Sequence, residues 1–437
     1  MEPGEDRHPD VLPGAAVVDR VRRALAKVTG QALGPYQSAV VRIGFAGTWL
    51  FFLLREFPHR HELYGPDGPW SLRLAERLID QNRAFTVLLW SDSGLWFEIV
   101  YALAVLASVL LLLGWRTRAV SVVFMVGVLS LQNRSVFMGD GGDNVIHLMA
   151  IYLVLTRCAR VWSLDARRAR LRGSASAGAA GPVLWGVLGA FLAYGAVFGG
   201  FGTGWTLAFA AVWTALALWW MVDRYEPAGE GRALLDVLAN LLHNAGMLVI
   251  TAEVCLIYAT AGWYKIQGSR WQDGTALYYP LGLDYFTPWP GLSGLLASSG
   301  TMVMLLTYGT VIVQVAFPFT LFDRRVKNVL LALMMLEHAG IAVLLGLPFF
   351  SLAMIAADAV FLPTGFLLAL GGLVAGARKR VWRPAARGVG PEPPTGPGLV
   401  PRPATATVTG PATAVTQPAT GPATGPATGS AGRRVGG

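Results

Sequence analysis

Charge is what this chain has least of. Only 14% of its 437 residues are Asp, Glu, Lys or Arg, where a soluble domain carries about 25%. That shortage excludes an ordinary soluble enzyme. The two cysteines, Cys158 and Cys255, fall at or in apolar runs and far apart, so no disulfide framework is expected. Residues 1–32 are polar and charged with no early apolar core, so no cleavable signal is expected there. The chain also has no phosphate-binding glycine loop, no Ser-His-Asp signature and no haem motif. Between residues 233 and 264 there is no Lys or Arg at all.

Apolar residues are what the chain has in quantity, 54% of the total. They form continuous runs, and a bilayer-spanning helix needs roughly 20 such residues. About ten candidate runs are present, near 37–54, 95–113, 119–131, 145–155, 183–201, 205–222, 234–263, 301–322, 329–345 and 348–362, the last extending toward 374. Only helices and closed barrels satisfy their backbones in lipid, and alternating strands are missing from these runs. The expected class is therefore an all-α, polytopic membrane helix bundle of about ten spans with a disordered C-terminal tail. Whether 348–376 is one span or two stays open.

The domain reading is a polar segment at 1–35, a transmembrane region at 36–376 and a tail at 377–437. Residues 18–28 suit either a basic amphipathic surface helix or a solvated tail. The tail repeats PAT at 403, 411, 418, 422 and 426 and cannot bury a core.

Net charge is +9, spread over short loops. Such a distribution fits loops facing anionic lipid and argues against nucleic acid. With the N-terminus in the cytoplasm, loops 114–118, 156–181, 223–233 and 323–328 hold thirteen Lys and Arg, and the opposite loops hold eight. This asymmetry predicts a multi-pass cell-membrane protein with both termini cytoplasmic.

The stretch around residues 253–279, EVCLIYATAGWYKIQGSRWQDGTALYY, closes the long cation-free run with aromatics and one lysine, Lys265. Aromatics at headgroup level beside a lone cation mark a helix leaving the bilayer. Two readings of Lys265 stand: a base held neutral by desolvation among aromatic rings, or a snorkelling anchor. His338 and its neighbour Glu337 lie inside an apolar run, where ionisable groups are expensive and mark function unless they satisfy one another. Glu253 and Asp358 are read the same way. His147 reads as structural. Asp140 and Asp143, and His59, His61 and Glu62, have ligand-type side chains, but no metal site is expected from them.

Ordered stretches carry a resemblance. VRIGFAG (from Val41), LGWRTR (from Leu113), LQNRSVFMGDGGD through WSLDARR (Leu131 to Arg168), AGWYKIQGSRWQDGTALYY (from Ala261) and, more weakly, LEHAGIAVLLGLPFFSLAMIAADAVFLP (from Leu336) resemble the horizontally transferred transmembrane (HTTM) domain, the membrane part shared with vitamin K-dependent gamma-carboxylase. Residues 175–231 look like an inserted helix pair. The large extracytoplasmic domain that follows in the carboxylase has no counterpart in the tail, so a protein partner supplying it is one expectation.

The resemblance implies a reduced quinone, of menaquinol or vitamin K hydroquinone type, with Lys265 as the base that deprotonates it. Asn133 matches the family's Asn, and Arg134 stands where the family has His. An arginine stabilises an oxyanion but shuttles no proton near neutral pH; a capped loop is the plainer reading of both residues. Lys265, His338, Asn133 and Arg134 are thus the expected catalytic set, with Trp263, Trp271, Asp273 and Tyr278 as ligand-binding neighbours. A membrane binding, maturation or export accessory without turnover is the alternative.

Overall fold

The computed structural model describes residues 13–135, 137, 139–172, 180–198 and 200–381. The expected tail from 382 onward lies outside them, as does the start of the expected insert at 175. The described chain is helical, with no strand among the described residues. Its longer helices are α1 (Pro13–Gly30), α2 (Pro35–Glu56), α3 (Gly94–Leu113), α4 (Thr117–Arg134), α5 (Gly141–Leu155), α6 (Ala180–Val197), α7 (Thr203–Tyr225), α8 (Glu230–Gln267), α9 (Gly300–Ala316), α10 (Arg324–Leu344), α11 (Pro348–Asp358) and α12 (Thr364–Val381).

Among the described residues, six helical stretches are long and apolar enough to cross a membrane: Pro35–Tyr64, α3, α7, α8, Gly300–Thr320 and α10. A seventh crossing follows if α11 and α12 count as one, but the chain turns by 117° between them. The turn falls at Pro363, which disfavours helix in the residue before it. The apolar run at 348–376 is thus two helices. Residues 141–155 and 181–197 form apolar helices that are shorter.

The core lies between α2, α3, α4, α5 and α11. Phe45, Trp49 and Leu53 of α2, Tyr101 of α3, Val128 of α4, Met149 of α5 and Ala357 of α11 are essentially fully buried there. By contrast, the apolar window of α7 is only 6% buried, which leaves its Leu218, Trp220 and Met221 outward. In water such a face would be unfavourable; in lipid it is not.

The connections gather at two ends. At one end, Arg42 of α2 donates to the carbonyls of Leu111, Leu112 and Trp162 at 2.5, 3.0 and 2.8 Å. It thereby satisfies the last carbonyls of α3, which have no partner within that helix. Gly114 ends α3 at φ 68°, and a side chain there would run into Ser163 and the Arg42 guanidinium. Asp165 caps α4, accepting from the backbone N–H groups of Arg116 and Thr117 at 2.9 and 2.8 Å and from the Thr117 hydroxyl. At the same end Arg157 reaches Asp236 and Asn240, and Lys327 reaches the carbonyl of Phe361. Gln37 donates to the carbonyl of Leu362. These contacts join the positively charged loops 114–118 and 156–181 to each other and to the start of α8, and tie Lys327 of the loop 323–328 to the end of the segment after α11.

At the other end, Arg134 donates to the carbonyls of Trp70 and Gly65, both at 2.7 Å. Asn133 donates to Phe85 at 2.8 Å, and the Thr86 hydroxyl donates to the Ser130 carbonyl. These bonds fasten the segment between α2 and α3 onto the end of α4.

Candidate functional site

Two lines of polar side chains run between α8, α9, α10 and α11. Tyr258 and Lys265 are seven residues apart on α8, so they share one face two turns apart. The Lys265 amine donates to Gln314 Oε1 of α9 at 2.8 Å. Gln314 Nε2 in turn donates to Glu337 Oε1 of α10 at 2.6 Å. Gly262 makes this possible: a Cβ there would stand 2.6 Å from Val315 Cγ2, so only glycine lets α8 and α9 approach this closely.

The second line starts one residue further along α10. His338 Nε2 lies 3.1 Å from the Tyr258 hydroxyl, which donates to Asp358 Oδ1 of α11 at 2.9 Å. A phenol has one proton. If it goes to Asp358, then His338 donates through Nε2, and its Nδ1 is the bare acceptor. Among the described residues His338 Nδ1 and Asp358 Oδ2 have no hydrogen-bond partner, although the two residues are 2% and 0% exposed. Unmet polar atoms this deep are costly.

Phe350 of α11 packs against His338. Its ring centroid lies 5.6 Å from that of His338, and Gly141 and Gly142 at the start of α5 back onto it. A separate cavity of about 200 Å³ is lined by aromatic side chains, Trp49, Phe52 and Tyr64, and by polar ones that include Asn133, Asp143 and His147. His147 Nδ1 is 2.9 Å from Gln132 Oε1, and Asp143 forms a capping box with Asp140.

The expected catalytic set is therefore divided. Lys265 lies in the first line with Gln314 and Glu337, and His338, the residue after Glu337, lies in the second with Tyr258 and Asp358. Asn133 lines the separate cavity. Arg134 is 1% exposed and already holds two carbonyls, so it reaches no ligand position beside Lys265. Sequence spacing does not reveal that these two side chains anchor a loop. Of the expected ligand neighbours, Trp271 has its ring centroid 5.2 Å from Lys265 Nζ. Trp263 and Tyr278 are 63% and 55% exposed and face away from the polar lines. Asp273 sits in a turn, where hydrogen bonding from the Thr275 hydroxyl, and then from its backbone N–H, holds the carboxyl below the usual carboxylate range.

Glu253 makes no side-chain hydrogen bond among the described residues. His61 and Arg60 pair with Glu98 at 2.7 and 2.8 Å. Among the described residues no three His, Cys, Asp or Glu side chains converge as metal ligands would.

Tyr258 and Gln314 were not singled out from sequence. The signal for Gln314 was present: it is an amide inside an otherwise apolar helix, GTMVMLLTYGTVIVQVA. Tyr258 had a subtler one, its seven-residue spacing from Lys265. No protein-family model matches the chain, and searches of curated proteins and of solved structures give no match either.

Proposed function

We propose that the chain is a multi-pass cell-membrane protein of the HTTM type, with about ten membrane-embedded helices and both termini cytoplasmic, that binds a reduced quinone. Lys265 is its base. The observation that carries this reading is the hydrogen-bonded line Lys265–Gln314–Glu337 beside the buried His338, contributed by three helices in an apolar setting. Ionisable groups placed there are expensive and mark ligand or proton handling. A quinol has a polar ring and an apolar tail, so it suits a polar line flanked by lipid-facing helices. Bound there, a reduced quinone would supply an acidic hydroxyl, and Lys265 would be the residue that takes up its proton. Gln314 orients the amine, and Glu337 balances the new positive charge.

A second reading, binding or accessory function without turnover, is favoured by one specific observation. Asn133 and Arg134 are both engaged with backbone carbonyls, which removes half of the expected catalytic set. Native mass spectrometry of the purified protein tests the common part: a co-purified quinone is expected. Oxygen uptake on addition of menaquinol separates the readings. Uptake is expected for the enzyme and none for the accessory.

A further inference from the structure

At the end of the bundle that gathers the basic loops, three arginines converge on one tryptophan. The guanidinium carbons of Arg118, Arg232 and Arg157 lie 3.7, 5.0 and 5.7 Å from the ring centroid of Trp219. They come from the start of α4, the start of α8 and the segment after α5, and Trp219 lies near the end of α7. Two carboxylates are at hand, and both are taken. Asp236 holds Arg157 at 2.8 Å and Arg232 at 2.8 Å, and Asp223 pairs with Arg232. The remaining acid nearby, Asp165, has both oxygens engaged in capping α4. The Arg118 guanidinium has no hydrogen bond or ion pair among the described residues. Stacking on an indole explains why one arginine lies over that ring. It does not explain why three cations share it while facing two carboxylates.

From this convergence we infer that Arg118, with Arg157 and Arg232 beside it, forms a binding site for the phosphate group of an anionic membrane lipid. A phosphate accepts paired hydrogen bonds from the planar guanidinium fork and supplies the missing negative charge. Lipid is favoured over a free anion by the surroundings. The same helix presents Leu218, Trp220 and Met221 outward next to Trp219, a surface for acyl chains directly beside the cations. Basic pockets between membrane helices on the side of the positive loops are where such headgroups bind.

The test uses the full chain in detergent, titrated with dioleoylphosphatidylglycerol or with phosphatidylcholine and read by native mass spectrometry. The wild type should bind phosphatidylglycerol in preference. Arg118→Gln should weaken that binding about tenfold or more, the loss expected for charge-assisted hydrogen bonds, with phosphatidylcholine adducts unchanged. Arg118→Lys, which keeps the charge without the fork, should fall between and serves if the glutamine variant does not fold. Arg77→Gln, on the exposed helix Leu72–Asn82 at the opposite end, should bind as wild type. Equal phosphatidylglycerol binding by wild type and both Arg118 variants would overturn the site. Inorganic phosphate displacing phosphatidylglycerol at millimolar concentration would overturn the lipid assignment and leave a free-anion site.

Discussion

Tyr258 and Asp358, one hundred residues apart in sequence, are joined by a 2.9 Å hydrogen bond from phenol to carboxylate. The same hydroxyl meets His338 Nε2, so one oxygen links α8, α10 and α11. Replacing Tyr258 by Phe keeps the ring and its edge-on contact with Phe317 but strips two buried polar groups of their partner. The expected cost is about 1–3 kcal/mol, read as a lower melting temperature in detergent. Because the groups are coupled, Tyr258→Phe and Asp358→Asn together should cost clearly less than the sum of the two. Additive losses would mean the hydroxyl does not bridge the helices.

The contact of Arg42 with the end of α3 gives a second expectation. Arg42 is 0% exposed and bonds three carbonyls. Arg42→Met should fill similar space while stripping the carbonyls of Leu112 and Trp162 of this donor and leaving Leu111 only the Gly114 N–H, with a loss of about 3 kcal/mol or more. Gly114→Ala should destabilise as well, by at least about 1 kcal/mol from its positive φ alone, and further through the collision with Ser163. Unfolding in detergent measures both. A Gly114→Ala protein as stable as wild type would show that the α3–α4 turn is not held as tightly as its geometry requires.

How far the sequence could be read depends on the element. Apolar helices were legible because each is a continuous run with polar ends, and α3 at Gly94–Leu113 departs by one residue at its start from the run at 95–113. The break between α11 and α12 was not, since Pro363 is flanked by residues as apolar as the helices themselves. Lys265 and His338 stood out as ionisable groups at apolar positions. The link from Lys265 to Glu337 did not, because it passes through Gln314, 49 residues from Lys265, and depends on Gly262 allowing two helices together. Arg134 misled in the opposite direction. Its charge suggests an oxyanion, but the folded loop brings the carbonyls of Gly65 and Trp70 to it, a pairing across about 65 residues with no local sequence mark. Likewise Ser293, in the sequence joining α8 to α9, lies in a short helix, Pro290–Ala297, and is 1% exposed.

The proposed orientation of the bundle rests on the grouped positive loops and is testable by labelling. In a background with Cys158 and Cys255 replaced by alanine, a single cysteine goes at Ala228 or at Ser298. Both positions are exposed, the first at the end rich in arginine and the second in the connection between α8 and α9. An impermeant thiol reagent on intact cells should label Ser298→Cys and leave Ala228→Cys unlabelled until the cells are opened. The reverse pattern would invert the whole arrangement and place the Trp219 cluster outside.

The last expectation concerns Lys265, whose amine can be either a base or a tether. As a base it must be able to lose its proton, and removing a general base typically slows the reaction about 10²–10⁴-fold. Lys265→Ala should therefore abolish menaquinol-dependent oxygen uptake on that scale while leaving the fold intact. Lys265→Arg discriminates further. A guanidinium still reaches Gln314 and can still stack on Trp271, so a tether would be preserved. Arginine stays charged and takes no proton, so a base would be lost. Glu337→Gln keeps a hydrogen-bond partner for Gln314 but removes the charge that balances the ammonium, and activity should drop while quinone binding persists. If Lys265→Arg retains full uptake, the lysine is an anchor and the base assignment falls. If the wild-type protein neither carries nor turns over a quinone, the accessory reading takes its place.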